Sequence, residues 1–231
     1  LKLIILKMKQ LLSSIKIKII EKLYVKDPET SALGKKIIQE SIVLIDNIGF
    51  DNFTFKKLGE KIGSNESSIY RYFENKHKLL VYLSSWYWSW MEYRLVFATS
   101  NYVDPLARLR NAESIVTEKV EDDQKSLHMN ESILNKIIIA EFTKTFHTKE
   151  VDQEIKEGFY SIYIRVINRI TNIITDVNPE YLYPKSLASS IFEGAMHQHF
   201  LKDHMQSITD CDEETSPTDF YFDIIEKILK K

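Results

Sequence analysis

The residues best suited to chemistry in this chain are Thr54, Glu66, Ser67, Ser68, Tyr70, Arg71, Tyr72 and Lys76. They gather hydroxyls, phenols, one carboxylate and two cations into a short stretch. Such a set matches a polyanion: hydroxyls and an ammonium for phosphate oxygens, a guanidinium with two-pronged reach for a base edge. It does not match turnover. The chain has no nucleophile elbow, P-loop, HExxH or glycine-rich nucleotide loop, so neither a catalytic role nor a cofactor is expected. A second group, Glu193, His197, His199, His204 and Cys211, raises the question of a metal. Glu193 and His197 share a helix face at i, i+4, but His197 and His199 lie two apart and diverge, so no metal site is expected.

The first group must be held by short helices, and the sequence marks them. Ile37/Ile38, Ser41/Ile42, Leu44/Ile45 and Ile48 recur at spacings of three and four, an amphipathic helix that Gly49 ends. Thr54 caps a second helix running to Ile62, and Gly63 stops it. Asn65 caps a third that ends near Phe73, and Asn75 caps a fourth from Lys76 to about Ala98. Two short helices across a glycine turn, braced by a longer one, make a helix-turn-helix. Its expected core is Ile45, Ile48, Phe53, Leu58, Ile62, Ile69 and Phe73.

The segment Gly49–Leu80 resembles the DNA-binding domain of the TetR family of transcriptional regulators. The string Ile69-Tyr70-Arg71-Tyr72-Phe73-Glu74-Asn75-Lys76, continuing to Leu79, carries the likeness, with Gly49, Thr54, Leu58 and Gly63 at the family's upstream offsets. Ser64-Asn65 stands where the family has Val-Ser, and Gly59 replaces a customary alanine, at about 1 kcal/mol of helix propensity. The likeness covers about a fifth of the chain. It implies an all-α, TetR-like fold, with an N-terminal three-helix domain and a C-terminal helical bundle that dimerises. It also implies phosphate contacts from Ser68, Tyr70, Tyr72 and Lys76, joined by Thr54, and base contacts from Glu66, Ser67 and Arg71. Beside these roles stand plainer ones: Tyr70 as a core aromatic, Ser68 as support for the cap, Lys76 as a solvated helix-start charge.

Three domains are expected: a basic N-terminal extension over residues 1–30, the DNA-binding domain over 31–80, and a ligand-binding and dimerisation domain over 81–231. Leu1–Tyr24 reads as an over-long gene start with Met8 as the true beginning, as a loosely packed extra helix, or as a basic arm for DNA or a membrane surface. Residues 1–80 hold fifteen Lys and Arg against nine Asp and Glu, and the remainder sixteen against twenty-four. A basic end on an acidic body suits a protein that meets DNA at one end. A single cysteine excludes an internal disulfide framework and points to the cytoplasm, and no apolar run is long enough to span a membrane.

Beyond residue 100 the pattern predicts helices at Pro105–Lys119, Ile133–Phe146, Val151–Val177, Pro184–Lys202 and Thr218–Leu229. By the resemblance the last long helices pair across a two-fold axis, with Ile191, Gly194, Ala195 and Phe200 at the contact and a near-palindromic operator of double-stranded DNA as partner. The alternative is intramolecular core. Trp86, Trp90 and Tyr93 of the fourth helix, with Phe142, Phe146, Phe159 and Tyr163, can wall a pocket for a small apolar or aromatic effector. The alternative there is a wide core. The expected function is an effector-responsive repressor; the second reading is a DNA-organising or protein-interaction protein of the same fold without an effector.

Overall fold

The computed structural model describes residues 17–120, 129–146 and 148–229. Among them are ten α-helices and no strand. The expectations for residues 1–16 lie outside the described residues. We number the helices α1 (Ala32–Asn52), α2 (Phe55–Ile62), α3 (Glu66–Tyr70), α4 (Lys76–Thr99), α5 (Pro105–Thr117), α6 (Glu131–Phe146), α7 (Val151–Glu157), α8 (Ser161–Val177), α9 (Pro184–His204) and α10 (Pro217–Leu229).

Capping side chains set most starts. Ser31 Oγ accepts the Gly34 amide, Thr54 Oγ1 the Lys57 amide, and Asn65 Oδ1 the Ser68 amide. Asn75 Oδ1 does the same for Lys78, and Asp104 for Ala107 ahead of Pro105. Gly63, with φ +69°, closes α2 in the left-handed conformation. Gly49 does not end α1 outright: at φ +72° and ψ 156° it kinks the helix, which resumes for one short turn to Asn52.

One expected helix is corrected. The stripe from Val151 to Ile174 predicts a single rod, but Gly158 adopts φ +86° and splits it into α7 and α8. Apolar periodicity runs on through the break because Phe159 and Ile162 are both buried.

Packing divides the described chain into two compact units that do not follow its order. The first comprises residues up to Ser89 together with Val120–Ser161; the second comprises Trp90–Lys119 and Ile162–Lys231. The helix-turn-helix therefore shares a core with α6 and α7. In that core Leu23, Ile37, Ile38, Phe53, Leu58, Ile69, Phe73, Leu79, Leu80 and Leu134 have no accessible surface. Of the core expected for the helix-turn-helix, Ile48 alone is only half-buried.

In the second unit the interior is built from Leu109 and Ala112 of α5, Val166 and Ile174 of α8, Ala188, Ile191 and Ala195 of α9, and Ile225 of α10. Glu92, nearly buried, accepts from both Arg165 and Arg169 and so ties α4 to α8. Burial raises the pKa of such a carboxyl, yet the two guanidinium groups hold it below its ordinary value.

Candidate nucleic-acid interface

The first unit carries the helix-turn-helix. Ser64 N–H donates to Gly59 O at 2.9 Å, folding the turn tightly back on α2. A Cβ on Gly59 would stand 2.8 Å from the Ser64 carbonyl oxygen. The cost read from propensity is thus offset by the close turn that only glycine permits. Asn65 Oδ1 then collects three donors: the Ser68 amide at 2.9 Å, Ser68 Oγ at 2.6 Å and Ser67 Oγ at 2.8 Å. Both serine hydroxyls are engaged in the cap.

α3 is shorter than expected. It ends at Tyr70 rather than near Phe73, and Arg71 and Tyr72 form the turn out of it. Tyr70 is 49% exposed, its ring edge-on against Phe55 with centroids 5.0 Å apart, which leaves the phenol in solvent. Arg71 and Thr54 are exposed, and Glu66 is half-buried. Thr54, Glu66, Ser67, Ser68, Tyr70 and Arg71 thus lie along the two motif helices and their caps.

Two expected phosphate ligands have partners within the chain. Tyr72 is buried, and its hydroxyl shares a 2.8 Å hydrogen bond with Ser31 Oγ at the start of α1. Lys76 directs its ammonium inward. Nζ donates to the carbonyls of Phe50 at 3.0 Å, Asp51 at 3.2 Å and Phe53 at 3.2 Å, and lies 4.8 Å from the Phe50 ring centroid. An ammonium has three donors, and all three are used on the chain reversal between α1 and α2.

The same reversal is gripped from α6. Glu141 Oε1 accepts the Phe50 amide at 3.2 Å, and Lys144 Nζ pairs with Asp51 at 2.8 Å. The hydrogen bond from Lys144 keeps the Asp51 carboxyl below its usual range. Lys36 Nζ donates to Ile62 O, Lys57 Nζ to Asn52 O, and Lys61 faces Glu40 at 3.4 Å. Lys56, in the first turn of α2, is exposed and forms no ion pair among the described residues. The sequence reading passed it over. Its signal was its place two residues after the Thr54 cap, on the face opposite Phe55 and Leu58.

The remaining sites are distributed. Of the expected pocket residues, Trp86, Phe142, Phe146 and Phe159 belong to the first unit, and Trp90, Tyr93 and Tyr163 to the second. Phe146 packs on Phe142 and Tyr160 with centroids 4.8 Å apart in each case. Phe159 is buried and borders an open cleft of about 540 Å³, whose other walls are polar: Lys76, His77 and Lys78 face Glu150, Glu154 and Glu157. In the second unit Arg94 lies over Trp90 at 4.7 Å, Tyr93 is 39% exposed, and Tyr163 donates to Glu193 at 2.6 Å.

Residues of the expected dimer contact pack within the chain. Ile191 and Ala195 are buried within this one chain, and the Tyr221 ring of α10 covers Gly194. Phe200, between His197 and His204, is 36% exposed. His199 donates Nε2–H to Thr117 O at 2.7 Å, and burial lowers its pKa.

Residues 37–83 match the sequence model described as bacterial regulatory proteins, tetR family. No curated protein matches the sequence. Among solved structures, the chain is similar to AibR in complex with isovaleryl coenzyme A and operator DNA: 12% identity, TM-score 0.57, 84% of this chain and 98% of that one covered. The ketosteroid transcriptional regulator KstR2 of Mycobacterium tuberculosis matches at 11% identity and TM-score 0.53, over 84% of this chain and 91% of its own. The superantigen PfiT shares the fold at 13% identity and TM-score 0.59, over 89% and 100%. This chain has the all-helical fold of a TetR-type regulator. Its helix-turn-helix, within residues 37–83, matches the model of the tetR family of bacterial regulatory proteins.

Proposed function

We propose that the protein is a DNA-binding transcriptional regulator, a cytoplasmic, non-enzymatic repressor that grips a near-palindromic operator as a homodimer. The observation that carries this reading is the capped pair α2 and α3, which leaves Thr54, Lys56, Tyr70 and Arg71 exposed along one motif. Arg71 offers the guanine contact, Glu66 and Ser67 the neighbouring bases, and Thr54 and Tyr70 the phosphates. AibR, similar in fold, is described with operator DNA and an acyl coenzyme A thioester. A small apolar or aromatic effector that binds one conformation better than the other would shift the population away from the DNA-binding form.

The test is fluorescence anisotropy on DNA from upstream of the protein's own gene, against a scrambled fragment, at two salt concentrations. Selective binding with two subunits per site is expected, with Arg71→Ala relaxing base preference. Equal, weak binding to both fragments would overturn the operator reading. The second reading, an interaction protein of this fold without an effector, draws on the likeness to the superantigen PfiT. It predicts no DNA selectivity at any salt concentration.

A further inference from the structure

Residues 17–31 precede α1 and are held to the motif. Leu23 has no accessible surface, Ile19 is buried, and the Tyr24 ring meets Tyr82 edge-on at 6.1 Å. Two further ties reach the exit from α3. The Val25 amide donates to the Tyr72 carbonyl at 2.8 Å, and Ser31 Oγ bonds the Tyr72 hydroxyl at 2.8 Å. Between those ties Lys26 sits with its ammonium 5.3 Å from the centre of the Tyr72 ring. Lys26 is exposed and forms no ion pair among the described residues. Its neighbour Asp27 turns a carboxylate oxygen to the Glu29 amide at 2.9 Å, capping its own short turn.

We propose that Lys26, presented on the Tyr72 ring by this strap, is a phosphate-binding cation of the DNA face. The inference rests on the regulator reading above. It follows from where the other charges go: Lys76 spends its three donors on carbonyls, and Lys36, Lys57 and Lys61 are each engaged within the motif. Arg71, adjoining Tyr72 in the chain, is assigned to a base edge. The backbone beside that edge still carries phosphate charge; besides Lys56 of α2, an exposed ammonium left without an ion pair among the described residues is Lys26, on the ring of the residue that follows Arg71 in the chain. Tyr72 thereby acquires a positioning role: its ring and carbonyl fix the strap, while its own hydroxyl never reaches the DNA. A cation held over an aromatic face loses little freedom when it meets its anion, so it binds as a prepared contact.

The test is the salt dependence of binding by the full chain to the upstream fragment, for wild type, Lys26→Ala, Lys26→Arg and Val25→Pro. Removing one phosphate contact lowers the slope of log K against log salt by about 0.9. Lys26→Ala should show that decrease on operator and scrambled DNA alike, with an unchanged melting temperature, and Lys26→Arg should restore the slope. Val25→Pro, which keeps the lysine but removes the amide that docks on Tyr72, should reproduce the loss. A wild-type slope in Lys26→Ala overturns the proposal while leaving the regulator reading intact. Failure of the wild type to bind either fragment overturns the regulator reading itself.

Discussion

Lys76 Nζ lies 3.0 Å from the carbonyl oxygen of Phe50, twenty-six residues earlier, and ties the start of α4 to the end of α1. With the Asp51 and Phe53 carbonyls, it neutralises the negative end of a helix and the reversal after it. On the other side Glu141 holds the Phe50 amide, so both polar groups of one residue are claimed by side chains from distant helices.

Lys76→Met should therefore act on stability first. Three charge-assisted bonds to carbonyls disappear together, and bonds of that kind contribute roughly 1.5–3 kcal/mol. A loss of about 2–3 kcal/mol in urea-unfolding free energy is expected. At a temperature where the variant stays folded, the salt slope of DNA binding should match wild type. A slope lowered by about one with full stability would return Lys76 to the phosphate-binding set.

Glu113 on α5 is 1% exposed, and neither carboxyl oxygen has a hydrogen-bond partner among the described residues. Burial, opposed by Arg110 and reinforced by Glu226, pushes its pKa up to about 9. In the unfolded chain the group titrates near its ordinary value, so between the two the folded state holds the extra proton. The stability it contributes is full below the unfolded pKa and is lost as pH rises toward 9, at no more than about 1.4 kcal/mol per pH unit. Glu113→Gln should flatten that decline and be the more stable protein at pH 8.5. Equal denaturation midpoints for variant and wild type at pH 6 and at pH 8.5 would contradict it.

Gly194 distinguishes a contact within the chain from one between chains. A Cβ there would overlap the Tyr221 hydroxyl and stand 3.0 Å from Cζ. Gly194→Ala should force the ring aside and cost roughly 1–3 kcal/mol of monomer stability, the usual range for overpacking. The dissociation constant of the proposed dimer, from sedimentation equilibrium, should stay near wild type. Unchanged stability with a weakened dimer would place this glycine at a subunit contact instead.

What the sequence determined by itself was local. Thr54 with Lys57, Asn65 with Ser68 and Asn75 with Lys78 are caps whose partners lie three residues away, so spacing and residue type suffice to find them. Helix periodicity and the positive-φ glycines belong to the same short range, although Gly158 was hidden inside an unbroken apolar stripe. Tertiary structure decided the fate of groups whose partners are far along the chain. Tyr72 is turned to Ser31, forty-one residues away, and Lys76 to carbonyls twenty-three to twenty-six residues away. Both were read from sequence as phosphate ligands because a phenol and an ammonium suit phosphate oxygens as well as they suit a serine hydroxyl or a carbonyl. The burial of Ile191 and Ala195 inside one chain has the same origin, since an apolar helix face fits its own neighbour or another subunit equally well. A side chain's chemistry limits which partners it can take; packing brings one of them within reach.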